Sequence, residues 1–293
     1  MKHALKDLEL KANSIRQEII EMLVAAGSGH SAGPLGMADV FIALYFEVLN
    51  HDPKQPEWEE RDRLLLSNGH IVPVRYAAMA EAGYFPKSEL KTLRKFGSRL
   101  QGHPERTRLP GLEHTSGPLG SGLSQAAGMA LGLKLKDNTS SHVYVCMGDG
   151  ELDEGNVWEA AMFAGARKLS NITAIVDRNN IQIDGYTEHV LALEPLAMKW
   201  QAFGWHVIEV DGHNIEQIVA ACNEAKAIFE RPVVILAHTI PGKGVDFMER
   251  DPAWHGMPPG TKDIPGDPPK AEQAKEALHE LRTLRGRIRS EHE

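Results

Sequence analysis

Cysteine is nearly absent from this chain of 293 residues: Cys146 and Cys222 are the only two. One lies in an apolar run and the other in a helical stretch, so neither a disulfide framework nor a CxxC motif can be built, and a reducing compartment, the cytoplasm, is expected. Positive charge is also short. Lys and Arg number 32 against 40 Asp and Glu, a net charge of −8, and no basic block gathers anywhere. That excludes nucleic acid and an anionic membrane surface as expected partners. No uncharged apolar run reaches membrane-spanning length, and the first residues alternate charges with leucines instead of forming a signal-peptide core. The phosphate-loop pattern GxxxxGK[ST] is missing, and no GxGxxG follows a strand and opens a helix. There is no HExxH and no paired Cys/His spacing for zinc. Internal repeats and low-complexity tracts are absent too. Small metabolites and protein partners are what remain.

What is present suits one large α/β domain, since 42% of the residues are apolar. Leu5, Leu8, Ala12, Ile15, Ile19, Met22 and Ala26 recur at three or four residues, predicting a first helix that ends at Gly27. Further helices are expected over 37–49, 72–82, 88–96, 123–136, 194–203 and from an Asn214 cap to about 229. Apolar strands are expected at 63–67, 143–147, 172–176, 206–210 and 233–237. Strands alternating with helices predict a doubly wound, mainly parallel sheet with helices on both faces. Residues 97–120 form a long loop rich in glycine and proline, of a length that is usually functional or disordered. After Pro269, the residues Ala271, Ala274, Leu278, Leu281 and Ile288 mark a charged amphipathic helix. The expected division is a domain over 1–262 and a helical tail over 263–293.

The most informative stretch is 143–185, where two apolar runs flank a helical segment. Asp149, between Gly148 and Gly150, follows the first run; Asn179 and Asn180 follow the second, thirty residues on, about one strand–helix–strand unit. If the runs are parallel neighbours, their carboxyl ends share a rim and Asp149 and Asn179 converge. A carboxylate and an amide oxygen are hard ligands, suited to a magnesium or calcium ion that completes its shell with phosphate oxygens and water. The glycines allow a ligand close to the backbone. A second reading stays open on these residues alone: Asp149 caps the following helix, and Glu151, Asp153 and Glu154 complement its dipole.

Four histidines sit in loops beside or near glycine: His30, His70, His103 and His255. A loop histidine is commonly a plain surface residue, and spacing alone does not promote these four.

The strings GDGELDEG (148–155) and DRNNIQIDG (177–185) resemble those of transketolases, which are thiamine diphosphate enzymes. So do SGHSAGPLGMADV (28–40), LLLSNGH (64–70), QGHPE (101–105), TSGPLGSGLSQAAGMALG (115–132) and WHG (254–256), in the family's order over most of residues 10–258. The resemblance implies a thiamine-diphosphate-binding fold, in particular its diphosphate domain. It implies that Asp149, Asn179 and the carbonyl of Ile181 hold Mg2+, with Ca2+ or Mn2+ as substitutes. Gly117, Leu119, Gly148 and Gly150 would line the cofactor site, and His70 and His255 would contact the diphosphate. His30, His103 and His255 would face the sugar hydroxyls, which suits a group able to give and take protons near neutral pH. Glu154 matches a glutamate at the family's subunit interface that contacts the pyrimidine-activating glutamate.

The activity implied is transfer of a two-carbon ketol unit from a ketose phosphate to an aldose phosphate. In full-length members the activating glutamate belongs to a following pyrimidine domain, which has no counterpart in these residues. The chain is therefore expected to be the N-terminal subunit of a split transketolase, active with a second chain that carries the pyrimidine and C-terminal domains, as a heterotetramer of two copies of each. The alternatives are a transferase chain like deoxyxylulose-phosphate synthase and a non-catalytic regulatory chain that keeps the fold. The groups that grip the sugar phosphate lie mainly in the other half, so a pentose phosphate enzyme and one for a sulfonated sugar are equally compatible with this sequence.

Overall fold

The structure, a computed structural model, describes residues 1–138 and 140–283. Five parallel strands form the central sheet: β1 (Arg63–Leu66), β2 (Val143–Gly148), β3 (Ile172–Arg178), β6 (His206–Asp211) and β7 (Val233–His238), in the order β1-β2-β3-β7-β6. The small strands β4 (Ile181–Gln182) and β5 (Gly185–Tyr186) pair antiparallel as a hairpin just beyond β3. The helices are α1 (Leu5–Ala26), α2 (Ala32–Gly36), α3 (Ala38–Ala43), α4 (Val72–Glu81), α5 (Ser121–Leu135), α6 (Gly155–Ala166), α7 (Thr187–Val190), α8 (Leu196–Ala202), α9 (Ile215–Ala227) and α10 (Lys270–Thr283).

β1, β2, β3 and β7 are buried on both faces because they are apolar at successive positions, whereas the edge strand β6 is partly exposed. Tyr144 and Cys146 of β2 point into a core shared with α1, α3, α4, α9 and α10. Val143, Val145 and Met147 point the other way, into a core shared with α5, α6 and α8. Alanines at 126, 127 and 130 of α5 and at 160, 161 and 164 of α6 are buried against that second face, which lets both helices lie close to the strands. The two cysteines are buried and free. Among the described residues, no helix is long and apolar enough to cross a membrane.

Several expected elements change form. The helix expected over 88–96 is a 3-10 segment at Lys87–Thr92, because Arg94 (φ 59°) and Gly97 (φ 80°) turn the backbone left-handed. That expected over 37–49 divides into α3 and a π-helical turn at Leu44–Val48. The helix after Asp149 starts late: a 3-10 turn, Gly150–Asp153, intervenes before α6. Asn214 does cap α9, its side chain accepting from Gln217 N at 3.0 Å. In the tail, α10 buries Ala277 and Leu281 in the first core, and Asn13 of α1 donates to Leu281 O at 2.8 Å. Ile288, expected on the same helix, lies outside the described residues.

A buried charged group pins the loops at one end of the sheet. Arg16 of α1 reaches Asp39 of α3 at 2.5 Å, and His213 Nδ1 lies 2.9 Å from the same carboxylate oxygen. Burial alone would raise Asp39, but Arg16 and His213 hold its carboxyl down at about 2. His213 Nε2 accepts from Ile240 N at 2.7 Å, which assigns the Nδ1–H tautomer and fixes the segment after β7 beside α2.

Candidate functional site

Because β1, β2, β3 and β7 run parallel, their carboxyl ends open onto one rim. β1 delivers Ser67, Asn68 and His70; β2 delivers Gly148 and Asp149; β3 delivers Asn179. A cavity of about 310 Å3 lies there. It is lined by His30, His70, His103, His255, Gly117, Leu119, Gly148, Asp149, Gly150, Asn179 and Ile181, thus by every residue singled out from the sequence except Glu154. Glu154 stands beside the rim: a Cβ on Gly120 (φ 82°) would come within 2.7 Å of the Glu154 Cβ. The cavity wall also includes Gly33, Asn68, Ile71, Glu151, Asp177, Gln182 and Ile183, none of which the sequence motifs had marked as lining it.

Asp149 and Asn179 do converge. Asp149 Oδ2 accepts from Asn180 N at 2.6 Å and from Arg178 Nη1 at 3.1 Å, while Oδ1 accepts from Gly150 N at 2.8 Å. Asn180 sits at φ 64°, and this left-handed turn is what folds the chain back so that its amide faces Asp149. Asn179 Oδ1 accepts from Ile181 N at 3.0 Å, and its amide donates to Asp177 Oδ2 at 2.8 Å. Asp149 thus caps the Gly150 amide with one oxygen and meets Asn180 and Arg178 with the other, while the residue lines the cavity. Burial pushes Asp149 up to about 6 against the opposing pull of Arg178, and pushes Asp177 up to about 7.

The residue that motif reading passed over is Arg178. It is 4% exposed at its side chain and also reaches Glu188 at 2.8 Å and Glu194 at 3.0 Å, tying the strand end to the segment after the hairpin. Nothing in the spacing of the motif names the partners of Arg178, which only the fold brings together.

His30, His70 and His255 form a triangle, with ring centroids 4.6, 5.6 and 5.5 Å apart. Ser31 ties the His30 loop to the segment around His255, its one hydroxyl proton shared between Met257 O at 2.6 Å and Trp254 O at 3.0 Å. Gly69 admits the loop of His103: a Cβ there would lie 3.1 Å from the His103 ring and closer still to Ser116. Burial lowers all four histidines, His30 to about 4 and His70 well below the usual value, so the cluster is neutral at physiological pH. Neutral imidazoles can accept a proton or a hydroxyl hydrogen bond.

The donors fit a hard cation and a polar guest. Among the described residues no trio of His, Cys, Asp or Glu converges as a metal cage. The Asp149 carboxylate and the Asn179 amide oxygen are both hard donors on the cavity, which suits an ion that completes its shell from a phosphate-bearing ligand. A Cβ on Gly117 would meet nothing within 4 Å, leaving open space at that wall. His30 and His255 each keep a buried Nδ1 without a partner among the described residues, as expected where a hydroxyl-bearing guest is to bind.

Comparison with known proteins agrees with this geometry. A profile of the family described as transketolase, thiamine diphosphate binding domain, matches residues 8–270. The chain is 48% identical over 251 residues to the 6-deoxy-6-sulfo-D-fructose transketolase subunit of Clostridium sp. (strain MSTE9), covering 86% of this chain and 91% of that one. It is 39% identical over 275 residues to an apulose-4-phosphate transketolase subunit of Phocaeicola vulgatus, covering 94% and 93%. The solved transketolase of Leishmania mexicana superposes with a TM-score of 0.81 at 33% identity, over 95% of this chain but 45% of that one. This chain therefore spans under half the length of that solved transketolase, and its match to the rat transketolase covers 40% of that enzyme. The fold, the motifs and these relatives place the chain in the transketolase family, as a thiamine diphosphate binding domain.

Proposed function

We propose that this chain is the diphosphate-holding subunit of a two-subunit transketolase, which moves a two-carbon ketol unit from a ketose to an aldose and requires a second chain. The observation that carries the reading is the convergence of Asp149 and Asn179 with four neutral histidines on one cavity. Thiamine diphosphate, when bound, supplies the carbanion chemistry that breaks and remakes the bond beside the ketose carbonyl. Asp149, Asn179 and the Ile181 carbonyl would hold Mg2+, and His70 and His255 would contact the diphosphate of the bound cofactor. His30, His103 and His255 face the sugar and take or return hydroxyl protons. Gly117, Leu119, Gly148 and Gly150 shape the wall.

The substrate is a sugar with an anionic far end, phosphate or sulfonate, as the names of both subunit relatives suggest. Among the described residues no lysine or arginine lines the cavity, so the partner supplies the cation that grips this group. Exposed Leu119 on the cavity wall, and exposed Met162 and Phe163 on α6, offer that partner apolar surface. Two copies of each chain would make the assembly, in the cytoplasm. Purify this chain and its candidate partner separately and together, with thiamine diphosphate and Mg2+, and measure ketol transfer from phosphorylated and sulfonated ketoses. Transfer by the mixture alone supports the reading; robust transfer by this chain without a partner overturns it.

A further inference from the structure

Beneath the glycine-rich loop lies a carboxylate that touches three walls of the cavity at once. Glu151 is 3% exposed. Its Oε1 accepts from Ser67 Oγ and from Gly120 N at 2.7 Å, and its Oε2 accepts from Gly148 N at 3.2 Å. Ser67 Oγ in turn accepts from Gly122 N at 3.0 Å. Ser67 follows β1, Gly148 ends β2, and Gly120 and Gly122 flank the first residue of α5. One side chain thus ties the ends of two strands to the loop that contributes Gly117 and Leu119 to the cavity. The approach leaves no slack: a Cβ on Gly122 would fall 2.3 Å from Ser67 Oγ.

A glutamate that merely complements a helix dipole has no need of such burial. Three donors from separate loops are instead the arrangement by which a buried carboxylate orders its surroundings. We propose that Glu151 is a positioning residue, which fixes the 117–120 loop and Gly148 at the spacing that receives the diphosphate and its metal, acting through the amides of Gly120 and Gly148. The proposal rests on the reading of the cavity given under Proposed function.

The atoms give distinct expectations for three variants. Glu151→Ala removes all three acceptors. Glu151→Gln keeps an oxygen for Ser67 and Gly120 and opposes an amide nitrogen to Gly148 N alone. Ser67→Ala leaves Glu151 its bond from Gly120 and orphans Gly122 N. Amide hydrogen exchange is measured on the full chain without cofactor, and magnesium-dependent thiamine diphosphate binding by calorimetry on the chain with its partner. Glu151→Ala is expected to speed exchange at Gly120 and Gly122, leave the β2 and β3 interior unchanged, and weaken cofactor binding about 10–100-fold, as loss of a supporting shell does. Glu151→Gln is expected to keep the Gly120 and Gly122 exchange slow and to bind more tightly than the alanine variant. Ser67→Ala should free Gly122 alone, and it decides the matter if Glu151→Ala fails to fold. Unchanged exchange at both glycines, or freed glycines with unchanged cofactor affinity, overturns the proposal. If the unmodified pair shows no magnesium-dependent binding, the reading of the cavity fails, and the proposal with it, while slow exchange at Gly120 and Gly122 would still mark the clamp as real.

Discussion

Arg178 Nη1 lies 3.1 Å from Asp149 Oδ2 with both side chains buried, so the carboxylate proposed to hold a metal is already paired with a fixed cation. Removing one member of a buried pair leaves an uncompensated charge, typically at a cost of about 3–5 kcal/mol. Arg178→Met is therefore expected to lower the melting temperature markedly in the absence of metal. Mg2+ with thiamine diphosphate should restore part of the loss, because a bound cation supplies the missing positive charge and stabilises by mass action. Thermal unfolding with and without both additives checks this. An equal drop in the two conditions would show that Asp149 does not face the metal.

The four histidines should separate into two kinds of variant. His103→Asn in the reconstituted pair is expected to lower kcat/KM by about 10²–10⁴, the range of a lost proton-transfer group, with cofactor affinity within a few-fold. His70→Ala is expected to weaken thiamine diphosphate binding itself. Steady-state kinetics and calorimetry on both variants test the assignment. Identical profiles would refute it.

Stability should fall in acid, and besides the cavity histidines one contributor lies away from the cavity. Burial holds His142 down at about 3, with Lys226 adding to the effect, while its Nε2 lies 2.8 Å from Thr173 Oγ1. The unfolded chain takes up this proton near pH 6.5 and the folded chain does not, so stability is complete above that value and is lost as pH falls. The single site accounts for about 2 kcal/mol between pH 6.5 and 5, at 1.36 kcal/mol per unit. Denaturant unfolding of the wild type and His142→Gln across this range checks it; the variant should show a shallower slope.

Two glycines in neighbouring helices should respond in opposite senses to alanine. A methyl group on Gly165 of α6 would fall 1.9 Å from Phe203 O, whereas Gly128 of α5 has nothing within 4 Å. Gly165→Ala is expected to destabilise by at least about 1–3 kcal/mol through overpacking. Gly128→Ala should stabilise by up to about 1 kcal/mol through helix propensity. Midpoints of urea denaturation give both numbers, and a shared sign would contradict the packing described.

The strands and long helices were legible because apolar runs and 3.6-residue stripes are local patterns. Asp149 and Asn179 were legible for the same kind of reason, since one strand–helix–strand unit fixes their separation. The 88–96 helix was misread because Arg94 adopts a left-handed backbone that nothing in its side chain announces. The four histidines gained meaning only through the family resemblance, because His30 and His255 meet across a gap of more than two hundred residues. The contacts of Glu151 and Arg178 are not legible in the sequence for the same cause. Their partners, Ser67 and Glu194 among them, are brought near by the sheet and not by the sequence interval.

The order β1-β2-β3-β7-β6 also bears on how the chain comes to be made. While the polypeptide emerges from its N-terminus, the edge of β3 has no neighbour on one side until Val233–His238 arrives, and β6 must wait for that same strand before it can join the sheet. His255 emerges later still. The nascent chain thus carries Asp149 and Asn179 well before β7 and His255 complete the rim around the cavity.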